Sequence, residues 1–163
     1  MTDLQRAVSD VLREYKNAGL YIDEMSDVRV RTAGVIELLW YGGAYIDQDV
    51  WWSFLYGGRN TILISKYVSG IRYFLRHEFA HCLAYRTNLV VGDPDFERAF
   101  GCHHDYNDRE VRDEDCVSHY AMTSAGEDFA ETVAAYLKDR GTVRYTGQVA
   151  RKMQYIRQLA KRL

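Results

Sequence analysis

The string His77-Glu78-Phe79-Ala80-His81 constrains this chain more than any other stretch, because its spacing has chemical meaning only in a helix. Two histidines four residues apart stand on one helical face, where their ring nitrogens converge on a single point. Neutral imidazole is a good zinc ligand, and a carboxylate beside a zinc-bound water can take its proton. Five residues therefore encode a metal holder, His77 and His81, and a base, Glu78. A chance copy of the string would be surface decoration. Two properties separate these readings: a credible helix around the motif, and a third ligand elsewhere in the chain.

The helix is credible. Residues 69–86 contain no proline and no glycine after Gly70, and Ile71, Tyr73, Phe74, Leu75 and Leu83 give the histidines apolar neighbours. Ser69 is placed to cap the first backbone amides, and the helix is predicted to end near Arg86. Residues 61–65, Thr-Ile-Leu-Ile-Ser, are the clearest β segment and lead into it from a turn at 57–60. Upstream, residues 4–15 place Leu4, Ala7, Val8, Val11, Leu12 and Tyr15 at helical spacing before Asn17-Ala18-Gly19 stops them. Val28 and Val30 alternate with Arg29 and Arg31 as a half-buried strand, and 35–41 reads as a buried one. Gly42-Gly43 breaks that run before 44–46, a continuation or a hairpin return. Residues 47–56, with Trp51, Trp52 and Phe54, fit either a helical turn or an aromatic loop. Downstream come a turn at Gly92-Asp93-Pro94, a short helix over 95–100, an acidic surface loop over 102–115, and helices over 126–138 and 148–163.

Composition excludes several classes. A chain of 163 residues with 47% hydrophobic and 27% charged residues and a net charge of -2 is expected to be one soluble domain spanning 1–163, not a disordered or nucleic-acid-coating chain. No apolar run approaches the roughly eighteen residues that span a bilayer, so no membrane insertion is expected. The N-terminus lacks the basic-then-apolar plan of a signal peptide, which points to the cytoplasm and leaves delivery to a host cell or phage particle open. Cys82, Cys102 and Cys116 are an odd set at irregular spacing, unlike a secreted disulfide framework.

A third ligand has to come from outside the motif. Glu127 and Glu131 lie one turn apart on the helix predicted over 126–138, which Phe129, Ala130, Val133 and Leu137 can pack into the core. Glu127 can then reach a metal, and Glu131 the histidines behind it. The same residues admit another reading: Ser124 followed by Glu127 is a capping box, in which the glutamate merely satisfies backbone amides. A catalytic zinc takes three protein ligands and keeps one open position, so the motif and this helix strengthen each other.

Together, His77-Glu-Phe-Ala-His81, Tyr120 and Glu127-Asp-Phe-Ala-Glu131 resemble the gluzincin metallopeptidases, in particular the anthrax lethal factor catalytic domain and related zinc peptidases of bacteria and phages. The likeness runs from about residue 61 to 137. It implies a zincin-like fold and a zinc-dependent endopeptidase that hydrolyses a protein or peptide substrate through a zinc-activated water. The family's ligands carry over to His77, His81 and Glu127, and its general base to Glu78. Its oxyanion-assisting tyrosine, seven positions before the third ligand, corresponds to Tyr120, and its supporting acid to Glu131. The family's strand that lines the cleft and pairs with extended substrate corresponds to Thr61, Ile62, Leu63, Ile64 and Ser65. The regulatory ImmA/IrrE-type metallopeptidases share His-Glu-Phe-Ala-His, but the tyrosine and the Glu-x-x-x-Glu spacing match the lethal-factor-like pattern better. A non-catalytic zincin fold used as a binding module is the alternative from another class.

Weaker signals remain. Cys102, His103, His104, Cys116 and His119 invite a second metal site, but their spacing fits no common knuckle. His103 and His104 are expected to face solvent, and His119 to flank Tyr120. Cys82 is expected in the core. Arg144, Arg151, Lys152, Arg157, Lys161 and Arg162, with no acid after Asp139, are expected to form the solvated face of a docked helix, and no nucleic-acid partner is expected. The expected architecture is α+β: a small mixed sheet with an edge strand over the cleft, the motif helix beneath it, and a helical C-terminal half holding Glu127.

Overall fold

The computed structural model describes residues 2–32, 43–46, 60–64, 70–89, 93–101, 112–140 and 142–163. The first helix, α1 (Asp3–Ala18), begins with a full capping box: Thr2 Oγ1 accepts the Gln5 amide at 3.2 Å, and Gln5 Oε1 accepts the Thr2 amide at 2.8 Å. It ends at Gly19, whose φ of 72° no branched residue holds cheaply. A Cβ at Gly19 would also sit 2.7 Å from the Ala160 carbonyl oxygen, so the C-terminal helix packs directly on this turn. Ala7, Val11 and Tyr15, one turn apart, are its buried face.

After a 3-10 turn (Asp23–Asp27), the described residues hold three short strands, β1 (Arg29–Thr32), β2 (Gly43–Ile46) and β3 (Thr61–Ile64). Their order is β1-β3-β2: β1 pairs parallel with β3, Val30 opposite Ile62, and β2 pairs antiparallel with it, Ala44 opposite Leu63. The fold is therefore α+β with a small mixed sheet. One expectation fails here. Thr61, Ile62, Leu63 and Ile64 lie on the central strand and are all buried, with a neighbour on each side, so their backbone groups are already spent on β1 and β2 and cannot pair with a substrate. Among the described residues the edges belong to β1 and β2, and β2 packs against the motif helix.

That helix, α2 (Ile71–Arg86), starts from Gly70, whose φ of 82° turns the chain into it. No side chain caps it among the described residues. It buries Leu75, Phe79, Ala80, Cys82 and Leu83 against α1 and the later helix Ala125–Asp139. α1 clamps it from outside: Arg76 makes two bonds to the Glu14 carboxylate, at 2.6 and 2.9 Å, Arg72 pairs with Asp10, and the buried Tyr15 hydroxyl donates to the Arg76 carbonyl. α3 (Pro94–Ala99) opens with Pro94 in its first turn and Asp93 as cap, and buries Phe96, Ala99 and the following Phe100. Short 3-10 turns at Asp113–Asp115 and Tyr120–Thr123 precede α4 (Ala125–Asp139), and α5 (Gly147–Arg162) closes the chain.

Among the described residues the core joins side chains from α1 to α5 and β3, with Phe96, Phe100, Phe129 and Tyr155 packed tilted or edge-to-face at ring separations of 5.0 to 6.5 Å. Val149, Met153, Tyr155, Ile156 and Leu159 of α5 are buried as its periodicity requires. Lys152 departs from the expected solvated face: its side chain is 0% exposed and its ammonium lies 2.5 Å from the Asp128 carboxylate of α4, also 0% exposed. Among the described residues no helix is long and apolar enough to cross a membrane. The strand expected over 35–41, the aromatic segment 47–56, Ser65, Ser69 and residues 102–111, with Cys102, His103 and His104, lie outside the described residues.

Candidate metal centre

α2 and α4 pack closely along each other, and the motif histidines of the first face the N-terminal half of the second. His77 Nε2 lies 3.1 Å from His81 Nε2 and 3.0 Å from Glu127 Oε2, and His81 Nε2 lies 3.3 Å from the same oxygen. Three side chains from two helices thus present one ligand atom each at the corners of a nearly equilateral triangle, a group that can hold a metal ion.

The capping-box question has a geometric answer. Ser124 Oγ does accept the Glu127 amide, at 3.2 Å, and so caps α4. The Glu127 carboxylate, however, is turned onto both histidines instead of back to the backbone of Ser124. Both features coexist because the cap uses only the backbone amide of Glu127.

Glu131, one turn further along α4, approaches His77 from the other side: its Oε1 is 2.7 Å from His77 Nδ1. Nδ1 therefore carries the proton that this carboxylate accepts, and in a neutral ring Nε2 keeps its lone pair, aimed at the triangle. The other oxygen of Glu131 accepts two hydroxyl protons, from Ser118 at 2.6 Å and Tyr73 at 3.0 Å. The carboxylate is thus held by three donors, two from α2 and one from the segment before the Tyr120 turn.

Electrostatics follow from this arrangement. Burial alone would lower the His77 pKa, but the carboxylates of Glu127 and Glu131, with the charge of Glu78, raise it to about 9. Burial acts against ionised Glu127 as well, yet its bonds to His77 and His81 hold its pKa down to about 2. Glu131 is lowered in the same sense by His77, Ser118 and Tyr73.

Glu78 is 4% exposed, and its negative charge contributes to raising both His77 and Tyr120. Tyr120 stands on the 3-10 turn before α4, with its ring tilted over His77 at 5.8 Å. Partial burial, together with the carboxylates of Glu127, Glu78 and Glu131, raises its pKa, so the hydroxyl stays a hydrogen-bond donor at neutral pH. The expected site residues His77, Glu78, His81, Tyr120, Glu127 and Glu131 are therefore neighbours, whereas Thr61, Ile62, Leu63 and Ile64 belong to the buried sheet.

His119 flanks Tyr120 but points away: its side chain is 90% exposed and faces Asp113 at 3.6 Å. Cys116 is a free, buried thiol 3.7 Å from the Lys152 ammonium, with burial and Asp128 pushing its pKa up to about 11. Neither joins the triangle. Three contributors escape a reading of the sequence. Tyr73, four residues before His77, could have been found from helical spacing; Ser118 and Tyr15 carry no local signal, because their partners lie on other elements.

Compared with protein-family models, with curated proteins and with solved structures, the chain matches none.

Proposed function

We propose that this protein is a zinc-dependent metalloendopeptidase with a zincin-like fold, acting on a protein or peptide substrate. The observation that carries the reading is the triangle itself. His77 Nε2, His81 Nε2 and Glu127 Oε2 meet at 3.0 to 3.3 Å, yet two neutral imidazoles and an ionised carboxylate offer only lone pairs to one another. Such a cluster is repulsive unless a proton or a cation sits among them. Ligands bound tetrahedrally at the Zn–N distance are separated by about 3.3 Å, which the triangle matches, and mixed nitrogen and oxygen donors suit zinc better than calcium or magnesium.

A zinc ion held by His77, His81 and Glu127 would supply Lewis acidity, polarising a carbonyl and acidifying water. Glu78 takes a proton from the attacking water and returns it to the leaving amine. Tyr120, kept as a phenol, donates to the carbonyl oxygen as negative charge develops there. Glu131 fixes the His77 ring in the tautomer with its lone pair on Nε2. An extended peptide would add beside β2, which among the described residues is the edge strand next to α2, and not beside β3.

The test has two arms. Titration of metal-free protein with zinc should saturate at one ion per chain, and a lysate treated with wild type should show new protein N-termini that are absent after treatment with Glu78→Gln. Stoichiometric zinc with identical N-termini would favour the binding-module alternative over catalysis.

A further inference from the structure

Beyond the ligands and the base, one hydroxyl joins two parts of the site that otherwise belong to different segments. Ser118 Oγ donates its proton to Glu131 Oε2 at 2.6 Å and accepts the Ala121 amide at 3.2 Å. Ala121 follows Tyr120 in the 3-10 turn Tyr120–Thr123, so the second bond anchors the turn that presents the tyrosine. The first bond reaches the carboxylate that holds His77 Nδ1. We propose that Ser118 is a positioning residue that ties the Tyr120 turn to the Glu131–His77 pair, so that the tyrosine hydroxyl and the metal ligand keep one fixed relation.

The geometry separates Ser118 from Tyr73. Both hydroxyls donate to the same oxygen of Glu131, at 2.6 and 3.0 Å. Tyr73, however, stands one turn before His77 on α2 itself, so its bond braces Glu131 against the histidine's own helix and leaves the Tyr120 turn untouched. Among the described residues, Ser118 is the hydroxyl that bonds both the turn and the carboxylate. Removing it has two consequences. Glu131 loses one of its three donors, which loosens His77, and the Ala121 amide loses its acceptor, which frees the turn. Removing the Tyr73 hydroxyl has only the first.

This inference rests on the metal-site reading for one arm of its test and not for the other. The first arm measures the rate at which a chelator strips zinc from loaded protein, where loss of a supporting hydrogen bond typically costs 10- to 100-fold in affinity. The second arm follows hydrogen exchange at the Ala121 amide in the metal-free protein. For Ser118→Ala, zinc loss is expected to quicken roughly tenfold or more, and Ala121 exchange to quicken clearly. Tyr73→Phe should speed zinc loss alone. Ser118→Thr, which keeps a hydroxyl, should restore both while Ser118→Ala remains folded with a similar Tm. Zinc loss and Ala121 exchange within twofold of wild type in Ser118→Ala would overturn the proposal, as would failure of the threonine to rescue either. If wild type binds no zinc, the metal-site reading falls, while the exchange arm still decides whether Ser118 holds the turn.

Discussion

His77 Nε2 and Glu127 Oε2 lie 3.0 Å apart, an imidazole from α2 and a carboxylate from α4 pressed together where only a proton or a cation can make the contact favourable. In the metal-free protein the proton is the occupant, since these neighbours raise the His77 pKa to about 9 and lower that of Glu127 to about 2. A metal bound at the proposed site would therefore compete with that proton for the same nitrogen.

The first prediction concerns pH. A histidine raised from 6.5 to about 9 stabilises the metal-free fold fully below its unfolded value, and that contribution is lost as pH rises through 9. A glutamate lowered from 4.5 to about 2 stabilises above 4.5, and its contribution is lost as pH falls through 2. The pair thus supports metal-free protein most between about 4.5 and 6.5. Zinc binding at pH 7 should release about one proton, seen by calorimetry in buffers of different protonation enthalpy, and affinity should rise with pH and level off near 9. Proton release near zero at pH 7 would mean that His77 is already neutral.

Glu127→Ala separates ligation from capping. The Ser124 cap needs only the backbone amide at 127, which alanine keeps, so α4 should show unchanged helicity by circular dichroism. Zinc affinity should fall by more than about a hundredfold, since a direct ligand matters more than the supporting contacts that cost 10 to 100. Tight stoichiometric binding by this variant would exclude Glu127 as a ligand.

Tyr120→Phe removes a donor and no ligand. Zinc affinity should hold, while kcat on a substrate identified from the N-terminal comparison should drop by about a hundredfold with KM little changed, the signature of a contact made chiefly in the transition state. A drop confined to KM would instead make Tyr120 a substrate-binding residue.

Lys152 and Asp128 form a fully buried pair 2.5 Å apart, with the lysine also donating to the Asp115 carbonyl, so they join α5 and α4 to the segment leading to Ser118. Lys152→Met alone strands a buried carboxylate and should cost about 3–5 kcal/mol in urea unfolding. Adding Asp128→Leu removes the stranded charge and should recover much of that loss. Equal destabilisation of the single and double variants would show that lost packing, not the unpaired charge, dominates.

Local spacing alone made much of this protein legible. The i, i+4 histidines, the apolar stripes of α1 and α5 and the inward Phe96, Ala99 and Phe100 follow from helical periodicity, a property of neighbouring residues. Other features depended on what each residue met from far along the chain. β3 has a strong β composition whether central or at an edge, and only pairing with both β1 and β2 makes it central. Lys152 reads as one more surface cation until Asp128 arrives to neutralise it in the core. A Ser-x-x-Glu string can cap with its backbone amide while its carboxylate turns back or reaches elsewhere, and the outcome turned on where α2 brought its histidines. The sequence by itself determined two imidazoles one turn apart and the helix that spaces them; the packing of α4 on α2 decided that the Glu127 carboxylate joins them, because the direction of a carboxylate is set by its partners.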